Sequence, residues 1–123
     1  MANEITLRIR MQLSNGNLKE DANPGNLSVD QTTQGSNGGV LIIGQAAEET
    51  ISFTDITSEG YLYLRNLDGT NYIKYGPDSG GSMVDFGKLK AGECAVLRLY
   101  PGLTLKAQAD TADCKLQYLL LDD

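Results

Sequence analysis

The 123-residue chain carries 16 acidic against 10 basic residues, a net charge of −6, and contains no histidine and no tryptophan. Without an imidazole it lacks the usual general base, proton shuttle and transition-metal ligand of neutral pH, so the composition argues against an enzyme. An acidic chain also repels phosphate backbones, and the basic residues do not cluster beyond Arg8 with Arg10 and Lys88 with Lys90, which argues against a nucleic-acid partner.

Met1-Ala2-Asn3-Glu4 shows neither the basic nor the apolar region of a secretory signal, and no apolar run approaches the ~18–20 residues needed to span a bilayer. The expectation is cytosolic synthesis, no membrane partner, and Cys94 and Cys114 as reduced, separate thiols. Ile5, Leu7, Ile9, Met11 and Leu13 then alternate with polar residues, the period-2 pattern of a strand with one buried face. From Asn15 to Gly39 the chain is polar and loop-rich. Turn signals at Asn15-Gly16, Asn23-Pro24-Gly25 and Gly35–Gly39 surround one weak strand, Leu27 to Thr33. Val40-Leu41-Ile42-Ile43 is a continuous apolar run, as in a strand covered on both faces, and alternation resumes through Ile51 and Phe53.

Asp68-Gly69 is a two-residue hairpin signal. Pairing across it sets Leu64 opposite Ile73 and Leu62 opposite Tyr75, with Tyr63 opposite Lys74 and Arg65 opposite Tyr72 on the outward face. A turn at Asp110–Asp113 pairs Ala107 with Leu116, Leu105 with Tyr118 and Leu103 with Leu120. A tight hairpin at Pro101-Gly102 would mix faces, so the chain is expected to change sheets there or to carry a bulge. About eight to ten short strands at ~8–12-residue spacing predict an all-β fold, an antiparallel two-sheet β-sandwich of jelly-roll type, as a single domain over 1–123. Its core is predicted to take Ile5, Leu7, Ile9, Met11 and Leu13 together with Leu62, Leu64, Ile73, Leu105, Leu116 and Leu120.

No motif carries catalysis or a cofactor. Asp78-Ser79-Gly80-Gly81 copies the string around a serine nucleophile but has no imidazole to take its proton, so it reads as a loop. Gly35–Gly39 lacks the lysine and the helix of a phosphate cradle, and Asp68-Gly69-Thr70-Asn71 supplies one carboxylate where a calcium loop needs several. The acidic end, Asp122-Asp123, reads as solvated. What remains is an outward aromatic face. Tyr61, Tyr63, Arg65 and Tyr72 are predicted as contact residues, first for a protein partner, with sheet capping second and a sugar platform third.

The segment Gly60-Tyr61-Leu62-Tyr63-Leu64-Arg65-Asn66-Leu67-Asp68-Gly69-Thr70-Asn71-Tyr72 resembles small virion proteins of tailed bacteriophages. So do Leu89-Lys90-Ala91-Gly92-Glu93 and Leu97-Arg98-Leu99-Tyr100-Pro101-Gly102, so that the likeness spans roughly residues 60–121. The resemblance implies a non-enzymatic capsid decoration (cement) protein that bridges major capsid protein subunits as a homotrimer on the virion surface. The alternatives are a head-fibre or tail component, or a receptor- or carbohydrate-binding sandwich.

Overall fold

The computed structural model describes residues 3–123, and its only regular secondary structure is β: thirteen strands among the described residues, every pairing antiparallel. The chain divides into two compact units, Met1–Thr32 and Thr33–Asp123. The sandwich is built by the second unit and not by residues 1–123 as a whole.

The first unit is a two-stranded ribbon. Strands β1 (Ile5–Arg8) and β2 (Met11–Asn15) run out, and β3 (Leu18–Ala22) and β4 (Asn26–Val29) return, with β2 and β3 joined through Gly16-Asn17. Gly16 has φ 59°, a left-handed conformation that suits glycine in so tight a loop. Part of the stretch expected to be loop, 15–39, is therefore strand. Ile5 lies opposite Val29 and Met11 opposite Ala22, so the two pairings are offset by one residue. Asn23-Pro24-Gly25 supplies the extra residue, as a bulge does. The offset has a purpose legible in the sequence. The apolar residues of the return strand change parity across Pro24, from Leu18 and Ala22 to Leu27 and Val29, and the extra residue keeps both sets on the face that carries Ile5, Leu7, Met11 and Leu13.

The expected burial of the first strand is corrected here. Ile5 is buried, but Leu7 is only partly so, and Ile9, Met11 and Leu13 are 42%, 74% and 42% exposed. Alternation does give these residues a common face. A two-stranded ribbon supplies no second layer to cover it.

The second unit is a sandwich of two sheets. One has the order β11-β7-β13-β5, made of β5 (Ser36–Ile43), β7 (Glu59–Asn66), β11 (Cys94–Arg98) and β13 (Cys114–Asp122). The other has the order β10-β8-β12-β6, made of β6 (Glu49–Ile51), β8 (Ile73–Ser79), β10 (Gly87–Leu89) and β12 (Leu105–Ala109), with β9 (Ser82–Met83) extending β8. In chain order these strands alternate between the sheets except where β8 is followed by β9 and β10, which is the jelly-roll arrangement. Residues of both sheets meet in one core. Ile43, Leu62, Leu64, Leu116 and Leu120 come from the first, and Ile51, Ile73, Leu89, Leu105 and Ala107 from the second.

Two expected hairpins are sheet crossings instead. β7 pairs with β11 and β13, not with β8, and β12 pairs with β8 and β6, not with β13. Leu62 and Leu64 still share a core with Ile73 and Tyr75, but across the sandwich. Inward residues were readable because period 2 fixes the face; it does not name the neighbouring strand. Asp68-Gly69 serves a corner rather than a hairpin. The Asp68 carboxylate accepts from the Thr70 and Asn71 N–H groups, which holds it below the usual carboxylate range, Asn71 first. Fully buried Asn66 ties the corner down. Its amide donates to the Asn71 and Leu89 carbonyls, and its carbonyl accepts from the Asp68 N–H. The crossing at Pro101-Gly102 is as expected: β11 and β12 lie in different sheets, and Gly102 has φ 89°, fitting the third position of a type II turn.

Asp78-Ser79-Gly80-Gly81 is a hairpin turn, Ser79 opposite Ser82. The two thiols are free, Cys94 exposed and Cys114 buried. They lie on strands separated by β7. The acidic end is not solvated as expected. Asp122 is 1% exposed, and its carboxylate accepts from the Thr57 and Ser58 N–H groups at 3.0 and 2.9 Å.

Candidate interaction surface

The sandwich has two outward faces of different chemistry. On the β10-β8-β12-β6 sheet, register places Lys88, Lys74 and Gln108 in one row and Lys106 beside Gly76 and Thr50 in the next. These lysines are engaged: Lys74 pairs with Asp85 at 3.2 Å, Lys106 with Asp78 at 3.1 Å, and Lys88 stands 4.2 Å over the Tyr72 ring. This is an ordinary wet face.

The face of the β11-β7-β13-β5 sheet is apolar and aromatic. Val96, Tyr63, Leu119 and Gly38 form one cross-strand row, and Cys94, Arg65, Gln117 and Val40 the next, followed by Lys115 beside Ile42. Glycine at position 38 keeps the row low on the β5 side, since a Cβ there would lie 3.1 Å from the Leu119 side chain. Ile42, Val40, Leu119 and Val96 are 66%, 53%, 41% and 37% exposed. At the opposite end, beyond Val96 and Tyr63, Arg98 stacks on Tyr61 at 4.6 Å and pairs with Asp123 at 3.2 Å. Tyr61 first and Asp123 second hold that guanidinium firmly in its charged form. The arrangement is an apolar strip with Arg65 and Lys115 at one end and Arg98, set among Asp123 and Glu59, at the other. A strip of this kind suits burial against protein, with the cations at the rim.

Of the four residues predicted as contacts, Tyr61, Tyr63 and Arg65 share this face on β7. Tyr72 does not. It precedes β8 in the opposite sheet, because the hairpin that would have set it beside Arg65 is a sheet crossing, and one side of its ring is taken by Lys88. Val40, Ile42, Val96 and Leu119 were not singled out from sequence, although a signal existed. The unbroken run Val40–Ile43 suggests a strand covered on both faces, whereas β5 is an edge strand whose outer residues are bare.

A second feature is a cleft of about 190 Å³ lined by Tyr75, Pro77, Phe86, Leu97, Tyr100 and Leu103 among others. Phe86 and Tyr100 flank it at 71% and 86% exposure. Among the described residues no group of three or more His, Cys, Asp or Glu side chains is placed to hold a metal ion, and no helix is long and apolar enough to cross a membrane. Comparison with known protein families and with curated proteins gives no match.

Proposed function

We propose that this chain is a non-enzymatic structural module that grips a larger protein assembly through the outer face of its β11-β7-β13-β5 sheet, in the manner of a protein decorating and stabilising a phage capsid. One observation carries the reading: the uncovered strip of Val40, Ile42, Tyr63, Val96 and Leu119, on a sandwich whose other face is paired lysine. Jelly rolls also serve unrelated functions, so the fold supports this by analogy only. The virion placement and the major capsid protein as partner rest on the resemblance of residues 60–121. Bridging of capsid subunits as a homotrimer belongs to the same proposal.

The test is co-sedimentation with undecorated phage heads. The wild-type chain is expected to bind, and Val40→Glu with Ile42→Glu to lose binding while staying folded, since both side chains lie in water. Normal binding by that variant would remove this face from the contact. A second reading, a receptor- or glycan-binding sandwich, is favoured by Phe86 and Tyr100 flanking their cleft, because sugar rings stack on exposed aromatics. Failure to bind heads together with glycan-array binding lost in Tyr100→Ser would replace the first reading by the second.

A further inference from the structure

The β1–β4 ribbon raises a separate question, independent of the head-binding face but not of the homotrimer, because a face-to-face pairing of ribbons joins copies in twos. Its polar side is fixed by Arg10, whose guanidinium meets the Asp21 carboxylate through two bonds, Nε–Oδ1 at 3.1 Å and Nη2–Oδ2 at 2.8 Å. Asp21 lies opposite Gln12, so Arg10 and Gln12 share a side and Met11 and Leu13 occupy the other. That other side is apolar along the ribbon. Met11, Leu18, Ile9, Leu13 and Leu27 are 74%, 54%, 42%, 42% and 39% exposed. Glu20, opposite Leu13, is its one charged residue within the paired strands, and it stands near the turn rather than at mid-length.

Two strands with one apolar face are marginal in water, and a further apolar layer is what makes such a sheet stable. The five side chains leave on the order of 500 Å² of apolar surface in solvent, as much as the largest patch on a typical monomer. At an apolar share of about 60%, that matches the ~800 Å² per partner of a standard stable interface. Charge narrows the choice of occupant. Arg8, Arg10 and Lys19 nearly balance Glu4, Glu20, Asp21 and Asp30, so the unit has no excess of either sign to attract a polyanion or a charged lipid surface. An identical face meets it without net repulsion, as an isologous contact requires.

We propose that the apolar face of this ribbon is a self-association surface, packed face to face on the same ribbon of a second copy of the chain. Two stacked ribbons form the two-layer unit that one ribbon lacks.

The test uses the full chain alone in solution, without heads, so its outcome is separate from that of the docking proposal. Sedimentation equilibrium is expected to show association that weakens about thirtyfold or more in Met11→Glu with Leu18→Glu. The uncharged pair Met11→Ser with Leu18→Ser is expected to weaken association in the same direction. Val40→Glu with Ile42→Glu should leave it unchanged. Hydrogen exchange should show amides of residues 5–29 protected at high concentration and released on dilution. A wild-type chain that is monomeric at about 100 μM, ten times the weakest concentration at which a micromolar interface saturates, overturns the proposal. So does unchanged association in both ribbon variants, or dissociation caused by the sheet-face variant instead.

Discussion

Asp122 shows how a residue read as a solvated end becomes an anchor. Its carboxylate takes the N–H groups of Thr57 and Ser58, and its own backbone N–H donates to the Gly35 carbonyl. A Cβ at Gly35 would lie 2.7 Å from Oδ2, so the approach of the two segments depends on glycine there. The Thr57 bond first and the Ser58 bond second hold the Asp122 pKa below its ordinary 3.8. In the unfolded chain those bonds are gone and the carboxylate takes up a proton at higher pH. Its stabilising contribution is therefore complete above the ordinary value and is lost as pH falls through the lower, folded one. Asp122→Asn is expected to lower the urea midpoint at pH 7, with the gap to wild type closing as pH drops below about 4. A gap that stays constant with pH, measured by urea unfolding at pH 7 and pH 3, would place the loss in shape rather than in charge.

Strands show which part of the architecture the sequence could reveal. Leu64 and Leu13 both occupy apolar positions of clean period-2 runs, yet Leu64 is 0% exposed and Leu13 42%. The difference lies in the layer opposite, which alternation does not encode. Leu64→Ala is expected to destabilise the sandwich by roughly 2–5 kcal/mol, through lost burial and the cavity left behind. Leu13→Ala is expected to change sandwich stability by less than about 0.5 kcal/mol. Equal shifts in chemical denaturation would show that the ribbon belongs to the core after all. The same limit explains the two hairpins that became crossings. Asp68-Gly69 and Asp110–Asp113 have turn chemistry, and turn chemistry is equally needed where a chain leaves one sheet for the other. Pro101-Gly102 was legible as a crossing because a hairpin there opposed Leu97 to Lys106 and so contradicted the pattern. On the outer face of the β11-β7-β13-β5 sheet, Tyr61, Tyr63 and Arg65 are legible from one strand's outward parity. Val96, Leu119 and Val40 join them only through register between distant strands, and Tyr72 was misplaced with the hairpin.

At the scale of the whole molecule the charge distribution matters more than its total. Three of the ten basic residues, Arg65, Arg98 and Lys115, stand on one outward face of a chain with net charge −6. Arg98 is paired with Asp123, so Arg65 and Lys115 carry most of the local field. A partner that accepts this face is therefore expected to be acidic around an apolar centre, since like charges there would cost affinity. Rim charges act chiefly on the rate of encounter, while the apolar centre governs dissociation. Raising salt from about 0.05 to 0.5 M shortens the screening length from roughly 14 to 4 Å and should slow attachment to undecorated heads with little change in release. Arg65→Gln with Lys115→Gln should reproduce the slow attachment at low salt and abolish most of its salt dependence. Tyr63→Ser should leave the salt dependence intact and speed release. Surface plasmon resonance on immobilised heads separates the two rates. If the charge variant accelerated release while leaving attachment unchanged, the cations would be buried pairs at the centre of the contact rather than a guiding rim.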